Sequence, residues 1–323
     1  MMNKYIGHPS QHHYIEEHKL VGGKGDGMRL LEVNNGKGLM FTVSADRAGD
    51  ISRLFYKGVN LGYFSPCGYV APSFYDGNGA GFLKSFTAGF LTTCGLTAVG
   101  SPCTDDGEEL PLHGTIGNTP CENLQYYEDE NSMYIKLSVR DARIFSHKLI
   151  LKRIFEIPLD KNEIIIHDSV KNVGFEKSPY EILYHFNMGY PLLSEKSVIS
   201  INHKGVTPRD DRAAEGLGNE LVIEEPQAGF AEQCYYFDMV EGKAKIYNAD
   251  IGFGVSINYN TSELPFFTEW KMMGACDYVL GLEPGNCTPD GRDVMREKGL
   301  LQFLEPGEER KQTITIRIED EKC

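Results

Sequence analysis

Residues 133–139 read Met-Tyr-Ile-Lys-Leu-Ser-Val, and this stretch decides the class of fold that we expect. Its apolar residues fall at every second position, the period of a strand with one face on a core and the other towards solvent. The same alternation returns near the end of the chain at Ile314, Ile316 and Ile318. Other segments that follow this period lie at 149–154, 164–170 and 244–257.

The connections between these segments favour antiparallel pairing. They are short and rich in Gly, Pro, Asn and Asp, whereas parallel strands would need long crossovers. We find no amphipathic helical pattern longer than about three turns. The sequence therefore predicts an all-β protein, a large antiparallel β-sandwich in which sheet packs on sheet. We expect one domain over residues 1–323, with residues 1–30 forming an N-terminal arm or an edge strand.

Charge and composition exclude several classes of partner. The net charge is −14, and such a field repels nucleic acid and anionic membrane surfaces. The sequence contains neither an apolar run long enough to span a membrane nor a signal-peptide core, so we expect a cytoplasmic protein. Oligomeric state is left open. Eight cysteines without a CxxC pair predict free thiols in such a compartment: residues 67, 94, 103, 121, 234, 276, 287 and 323.

A long segment without strand periodicity is the first place where we expect function. Residues 65–121 are rich in Gly, Pro, Ser and Thr but too apolar for a disordered linker. Long ordered loops on a β scaffold usually carry binding or catalytic groups. His113 lies in this segment, within Leu-Pro-Leu-His-Gly-Thr-Ile-Gly, and is a candidate binding residue; a surface histidine is the alternative.

Two further candidates stand where an apolar strand meets a loop. His185 lies in Glu-Ile-Leu-Tyr-His-Phe-Asn-Met-Gly-Tyr-Pro, with Asn187 two residues later on the same face. Glu283 ends the apolar run Tyr-Val-Leu-Gly-Leu, and Asn286 and Arg292 follow it. Asn187, Asn286 and Arg292 are candidate sugar-binding residues. A buried carboxylate is costly unless it has a partner or a function. The alternative for His185 is a core histidine with its hydrogen bonds satisfied, and the alternative for the Glu283 segment is a structural ion pair.

Two residues elsewhere have side chains suited to sugars. The guanidinium of Arg47 could bind hydroxyl groups or a carboxylate, and a salt bridge is the alternative. Trp270, the only tryptophan of the chain, could stack on a sugar face, and a place in the core is the alternative.

Four stretches together resemble a known superfamily. They are residues 82–100, which begin Phe-Leu-Lys-Ser-Phe-Thr-Ala-Gly, the His113 segment at 110–120, the His185 segment at 178–195, and Asp-Tyr-Val-Leu-Gly-Leu-Glu-Pro-Gly-Asn at 277–286. In order and spacing they resemble the aldose 1-epimerase (galactose mutarotase-like) superfamily, most of all a bacterial branch known only as a domain of unknown function. The resemblance extends over about residues 40–315 and implies a galactose mutarotase-like supersandwich.

The resemblance also implies roles for individual residues. His185 would protonate the ring oxygen, Glu283 would remove the proton of the anomeric hydroxyl, and His113 would bind the sugar. Arg47 resembles an arginine of the uncharacterised branch. The sequence departs from the superfamily at Gly114, where one glycine instead of two follows the histidine, and in lacking a clear substrate-binding aspartate.

The function implied is that of an aldose 1-epimerase-like enzyme that interconverts the anomers of a free monosaccharide or sugar derivative. Its partner would be a small carbohydrate, and proton transfer alone would carry the reaction, so we expect no metal and no cofactor. Two alternatives stay open. One is a carbohydrate-binding sandwich without catalysis, and the other is a metal-dependent sugar isomerase or lyase with His113, His185 and Glu283 as ligands.

Overall fold

Strands dominate the structure, a computed structural model that describes residues 4–320. In chain order the strands are β1 (Tyr14–Lys19), β2 (Arg29–Asn34), β3 (Leu39–Ser44), β4 (Asp50–Tyr56), β5 (Val59–Asn60), β6 (Tyr63–Phe64), β7 (Ala88–Gly89), β8 (Leu91–Leu96), β9 (Cys103–Asp105), β10 (Glu108–Leu110), β11 (Glu122–Glu128), β12 (Ser132–Ala142), β13 (Lys148–Pro158), β14 (Glu163–Asn172), β15 (Ser178–Met188), β16 (Ser197–Pro208), β17 (Gln233–Asn248), β18 (Phe253–Tyr259), β19 (Phe266–Met273), β20 (Tyr278–Gly285), β21 (Gln302–Leu304) and β22 (Glu309–Glu319). The α-helices within the described residues are α1 (Asp211–Ala214) and α2 (Arg292–Glu297). The prediction of an all-β fold is therefore confirmed.

The strands form two main antiparallel sheets. Across the described part of the chain, one sheet has five strands in the order β1-β2-β3-β4-β5. The larger sheet runs β11-β12-β13-β14-β22-β18-β17-β19-β20-β15-β21, with β16 added to β17 and β8 added to β15. Short pairs, β6 with β7 and β9 with β10, lie in the loop-rich segment between them in sequence. Strand β1 lies at an edge of the smaller sheet, while residues 1–3 are outside the described range.

The alternation of apolar and polar residues in the sequence matches the alternation of buried and partly exposed residues in the structure. In β12, Met133, Ile135, Leu137 and Val139 are buried, while the residues that alternate with them from 134 to 138 are partly exposed. β12, β13 and β14 follow one another as a meander, with Met133 opposite Ile157 on the next strand. One buried cluster joins the inner faces of both sheets, and the ring centroids of Phe41 and Phe155 lie 6.4 Å apart across it. Burial of the apolar side chains, which occupy every second position of a strand, thus holds the sandwich together.

A buried ion network ties the two sheets together inside this core. The guanidinium of Arg153 on β13 is fully buried and donates to Asp168 on β14 and Asp50 on β4. It also donates to the hydroxyl of Thr93 on β8, and Tyr184 donates to Asp168. Because every charged group has a partner of opposite charge, this network satisfies the condition under which buried charges are tolerated.

The loop-rich segment 65–121 packs onto the sheets instead of extending into solvent. Arg47 holds this segment in place, since its guanidinium donates to the backbone oxygens of Gly117, Val70 and Ser85 at 2.8, 3.2 and 2.7 Å. Gly114 has a φ of +71°, and a Cβ there would lie 2.3 Å from the oxygen of Gly95. The glycine after His113 therefore allows this loop to lie directly on β8.

The structure also bears on the expectations for the cysteines and for membrane-spanning segments. The seven cysteines of the described residues carry free thiols, as expected, and Cys323 lies outside the described range. Among residues 4–320, no helix has the length and apolar character needed to cross a membrane.

Candidate active site

His185 and Glu283 come together because their strands are neighbours. β15 and β20 pair antiparallel with Phe186 opposite Leu282. His185 and Glu283 are the neighbours of these two residues and therefore share a face of the sheet. The Nε2 of His185 lies 3.1 Å from the Oε1 of Glu283, a close contact between the two groups that lacks hydrogen-bond geometry. Both side chains are almost fully buried. At Gly281 a Cβ would lie 2.3 Å from the Glu283 carboxylate, so a glycine is needed to leave room for it.

The pair lines a small cavity of about 220 Å³. Cavities for drug-sized ligands are larger, roughly 300–1,000 Å³, so this one is of the size of a single sugar ring. Its apolar wall consists of Phe82, Leu83, Phe86, Leu112, Trp270 and Pro289.

Aromatic rings surround His185 on three sides. Its ring centroid lies 5.3 Å from Trp270, 5.6 Å from Phe86 and 5.7 Å from His113, each in an edge-on arrangement. His113 comes from the loop-rich segment, Phe86 from the turn before β7, and Trp270 from β19. The Nδ1 atoms of both histidines lack a hydrogen-bond partner among residues 4–320.

Burial sets the protonation of the pair. Burial, helped by the nearby charge of Glu232, holds the pKa of Glu283 well above its usual range, while Arg209 acts in the opposite direction. Burial, with His113 beside it, lowers the pKa of His185 to about 3. Burial also lowers the pKa of His113 to about 4. Both shifts favour a protonated Glu283 beside a neutral His185, an arrangement with one transferable proton.

Four residues proposed from sequence as sugar ligands lie outside this cavity. Arg47 contacts backbone oxygens under the loop-rich segment, as described above. Asn187 is fully buried and donates to the backbone oxygen of His185 at 3.0 Å. Asn286 accepts from the Ile182 amide at 2.7 Å and so fixes the chain after β20 against β15. These contacts position the strands that carry the pair.

Arg292 is likewise engaged elsewhere. Its guanidinium is buried and donates to Asp105 at 2.6 Å and to Glu108 at 3.0 Å. These ion pairs join the start of α2 to β9 and β10. Arg292 thus forms structural ion pairs, the alternative to a sugar-binding role for this segment.

The cavity also contains residues that the sequence reasoning missed. Arg209 and Glu232 lie at its mouth and form an ion pair at 3.0 Å. Glu232 also accepts a hydrogen bond from the indole nitrogen of Trp270 at 2.7 Å. Cys234, at the start of β17, is buried in the wall. Arg209 and Glu232 lie in a polar connection without strand periodicity, which gave no signal that they approach a site.

A metal centre finds no support in the donor arrangement. Within residues 4–320, no group of three or more His, Cys, Asp or Glu side chains is placed to hold a metal ion. His113, His185 and Glu283 are close to one another, but they do not form such a group. The metal-dependent alternative is thus the weaker one.

Comparisons with known proteins give the family. The model of a family described as a domain of unknown function, DUF4432, matches residues 25–318. The chain belongs to this family. Among curated proteins, none matches the sequence of this DUF4432 member.

Solved structures show the same fold. A presumed aldose 1-epimerase from Klebsiella pneumoniae is 27% identical, with a TM-score of 0.89 over 95% of this chain and 84% of the other. A galactose mutarotase-like protein from Clostridium acetobutylicum is 16% identical, with a TM-score of 0.69 over 96% and 100%. A galactose 1-epimerase from Lactobacillus acidophilus is 15% identical, with a TM-score of 0.64 over 95% and 99%. The DUF4432 chain thus has the galactose mutarotase-like fold, as the resemblance implied.

Proposed function

We propose that this protein is an aldose 1-epimerase-like enzyme that interconverts the anomers of a free monosaccharide or sugar derivative. One observation carries the proposal: a buried histidine and a buried glutamate, 3.1 Å apart, at the end of a cavity of single-sugar size. The similarity to proteins named as aldose 1-epimerases supports it at the level of the fold.

The chemistry needs two proton transfers at one place. A base takes the proton of the anomeric hydroxyl while an acid gives a proton to the ring oxygen. The C1–O5 bond then breaks and the C1–O1 bond becomes a carbonyl. After rotation about C1–C2 the ring closes on the other face, and each group reverses its role, so that no proton is gained or lost.

A pair with one transferable proton suits this reversal. The resemblance implies His185 as the acid at the ring oxygen and Glu283 as the base, which is the state with protonated His185 and ionised Glu283. The state with neutral His185 and protonated Glu283 carries the same number of protons. Burial of the two side chains favours the second state. Either one supplies one donor and one acceptor, as ring opening and closure require.

The remaining cavity residues fit roles in binding. His113 offers an unpartnered ring nitrogen, and Trp270 offers an aromatic surface next to His185. Aromatic rings bind the C–H faces of sugars, while polar groups select hydroxyls. The free thiols of the described cysteines fit a reducing compartment, and we propose the cytoplasm.

A sugar-binding sandwich without catalysis is the second candidate, because the aromatic wall of the cavity would serve it equally well. Polarimetry and anomeric NMR over a panel of aldoses, including deoxy sugars, uronates and sulfonated sugars, separate the two. We expect at least one sugar to equilibrate faster than the buffer background, with a loss of about 10²–10⁴-fold in Glu283→Gln. A sugar that binds but equilibrates at the background rate would refute the enzyme and favour the binding module.

A further inference from the structure

A single carboxylate at the mouth of the cavity holds the only tryptophan of the chain. The two oxygens of Glu232 have different partners: Oε2 accepts from the indole nitrogen of Trp270 at 2.7 Å, and Oε1 accepts from Arg209 at 3.0 Å. Hydrogen bonds to an ionised acceptor are about twice as strong as neutral ones. The indole is thereby tied to a charged group that is itself tied to an arginine.

The position of Glu232 in the fold explains how it reaches both partners. Residues 209–232 connect β16 to β17, with Arg209 as the first and Glu232 as the last residue of the connection. The Arg209 amide donates to the oxygen of Cys234 at 3.0 Å, and Cys234 pairs with Trp270 across β17 and β19. The ion pair therefore closes the base of this connection beside Trp270.

The orientation of the indole matters to the site because Trp270 covers one side of His185. The two ring centroids are 5.3 Å apart, at an interplanar angle of 71°. Rotation of a tryptophan about χ2 is soft, so an indole at a cavity mouth needs a further contact to fix it. Glu232 supplies that contact.

We propose that Glu232 is a positioning residue that fixes the indole of Trp270 against His185 and so shapes the surface on which the sugar ring is held. This inference rests on the proposed function, since it assigns Glu232 a task in the same site. No part of it requires Glu232 to touch the sugar.

The charge of Glu232 has a second effect on the same site. After burial, it is the next largest cause that raises the pKa of Glu283, and Arg209 opposes it. The other titratable groups near Glu283 are His185, at 3.1 Å, and the buried thiols of Cys94 and Cys234, whose own pKa values are raised chiefly by burial. Removing the Glu232 charge should therefore lower the pKa of Glu283.

The first test uses tryptophan fluorescence of the full chain without sugar, because Trp270 is the sole emitter of its kind. Glu232→Gln keeps the shape but has one acceptor oxygen for two donors, and Glu232→Ala removes both contacts. The control is Glu215→Gln, which removes an exposed ion pair to Arg212 on the same connection. We expect a shifted emission maximum and easier acrylamide quenching in both Glu232 variants, with no change in the control. Unchanged emission in the Glu232 variants would overturn the proposal.

The second test compares anomer interconversion in the same variants. Because one stacking contact is worth about 0.5–1.5 kcal/mol, or roughly two- to tenfold, we expect KM to rise about that much in Glu232→Gln. The high-pH limb of the rate profile should also move to lower pH, a shift that loss of folding stability alone would not cause. Altered emission with unchanged KM and pH profile would contradict the positioning role.

The two tests separate this inference from the proposed function. If the wild type interconverts no sugar in the panel, the proposed function fails and, with it, any task for Glu232 in catalysis. The emission result is independent of activity and decides whether Glu232 fixes the indole. A KM change without an emission change would mean that Glu232 contacts the sugar directly, which refutes the role proposed here.

Discussion

Replacing Glu283 by Gln should make the protein more stable relative to the wild type as the pH rises. Glu283 is fully buried, and burial raises its pKa far above the ordinary value of 4.5. In the unfolded chain this carboxyl ionises near 4.5, whereas in the folded protein it keeps its proton. Between these two pKa values the folded state binds more protons, so the wild-type free energy of unfolding falls as the pH rises. The Gln variant lacks this contribution.

The size of the effect follows from the linkage. Each pH unit over which the folded carboxyl stays protonated and the unfolded one is ionised costs about 1.4 kcal/mol. From about pH 4.5 to pH 6.5, the stability difference between Glu283→Gln and wild type should thus grow with pH, with about 2.7 kcal/mol as the upper limit. His185, whose pKa is lowered to about 3 by burial, also makes stability depend on pH in this range. That contribution is common to both proteins and cancels in the difference.

The assay is urea unfolding of both proteins, at intervals of half a pH unit across this range. Any cost of burying the Gln amide is independent of pH and moves only the offset, so the slope is the quantity to compare. Glu215→Gln, at an exposed position, serves as the control for the Glu-to-Gln change itself. A pH-independent difference between Glu283→Gln and wild type would show that Glu283 ionises normally in the folded protein, and it would refute the desolvated pair.

Three further outcomes follow from the same structure. Trp270→Phe should raise KM several-fold with little change in kcat, measured by initial rates of anomer interconversion; an unchanged KM would remove Trp270 from the binding surface. Asp168→Asn should lower the free energy of unfolding by about 3–5 kcal/mol, measured by urea unfolding, because it leaves the buried Arg153 short of a counter-charge; a loss below about 1 kcal/mol would contradict the network. Treatment with a chelator should leave the interconversion rate unchanged, and a loss restored by one metal would favour the isomerase or lyase alternative.

The class of fold could be predicted from local sequence because each strand carries its own signal. Met133, Ile135 and Val139 alternate with polar residues, and this period is fixed by which face of the strand is buried. His185 and Glu283 could be singled out because each stands where an apolar strand meets a loop, a place where a buried titratable group is costly. That they share a face was not visible in the sequence, since it depends on the pairing of β15 with β20.

The remaining cavity residues could not be predicted, because their role depends on contacts between distant segments. Arg209 and Glu232 meet only because both ends of one connection return to the same place beside Trp270. The guanidinium groups of Arg47 and Arg292 suit sugar hydroxyls as well as they suit backbone oxygens and carboxylates. Which of these partners an arginine contacts is a matter of tertiary geometry, which one-dimensional spacing does not contain.

A double-mutant cycle on His185 and Glu283 tests the central claim most directly. The quantity measured is kcat for anomer interconversion, by anomeric NMR on whichever sugar the wild type turns over fastest. If both groups serve one transition state, His185→Asn and Glu283→Gln should each lower kcat by about 10²–10⁴-fold, and the double variant should be little worse than the poorer single variant. Losses that multiply in the double variant, or a single variant that keeps wild-type kcat, would contradict the account.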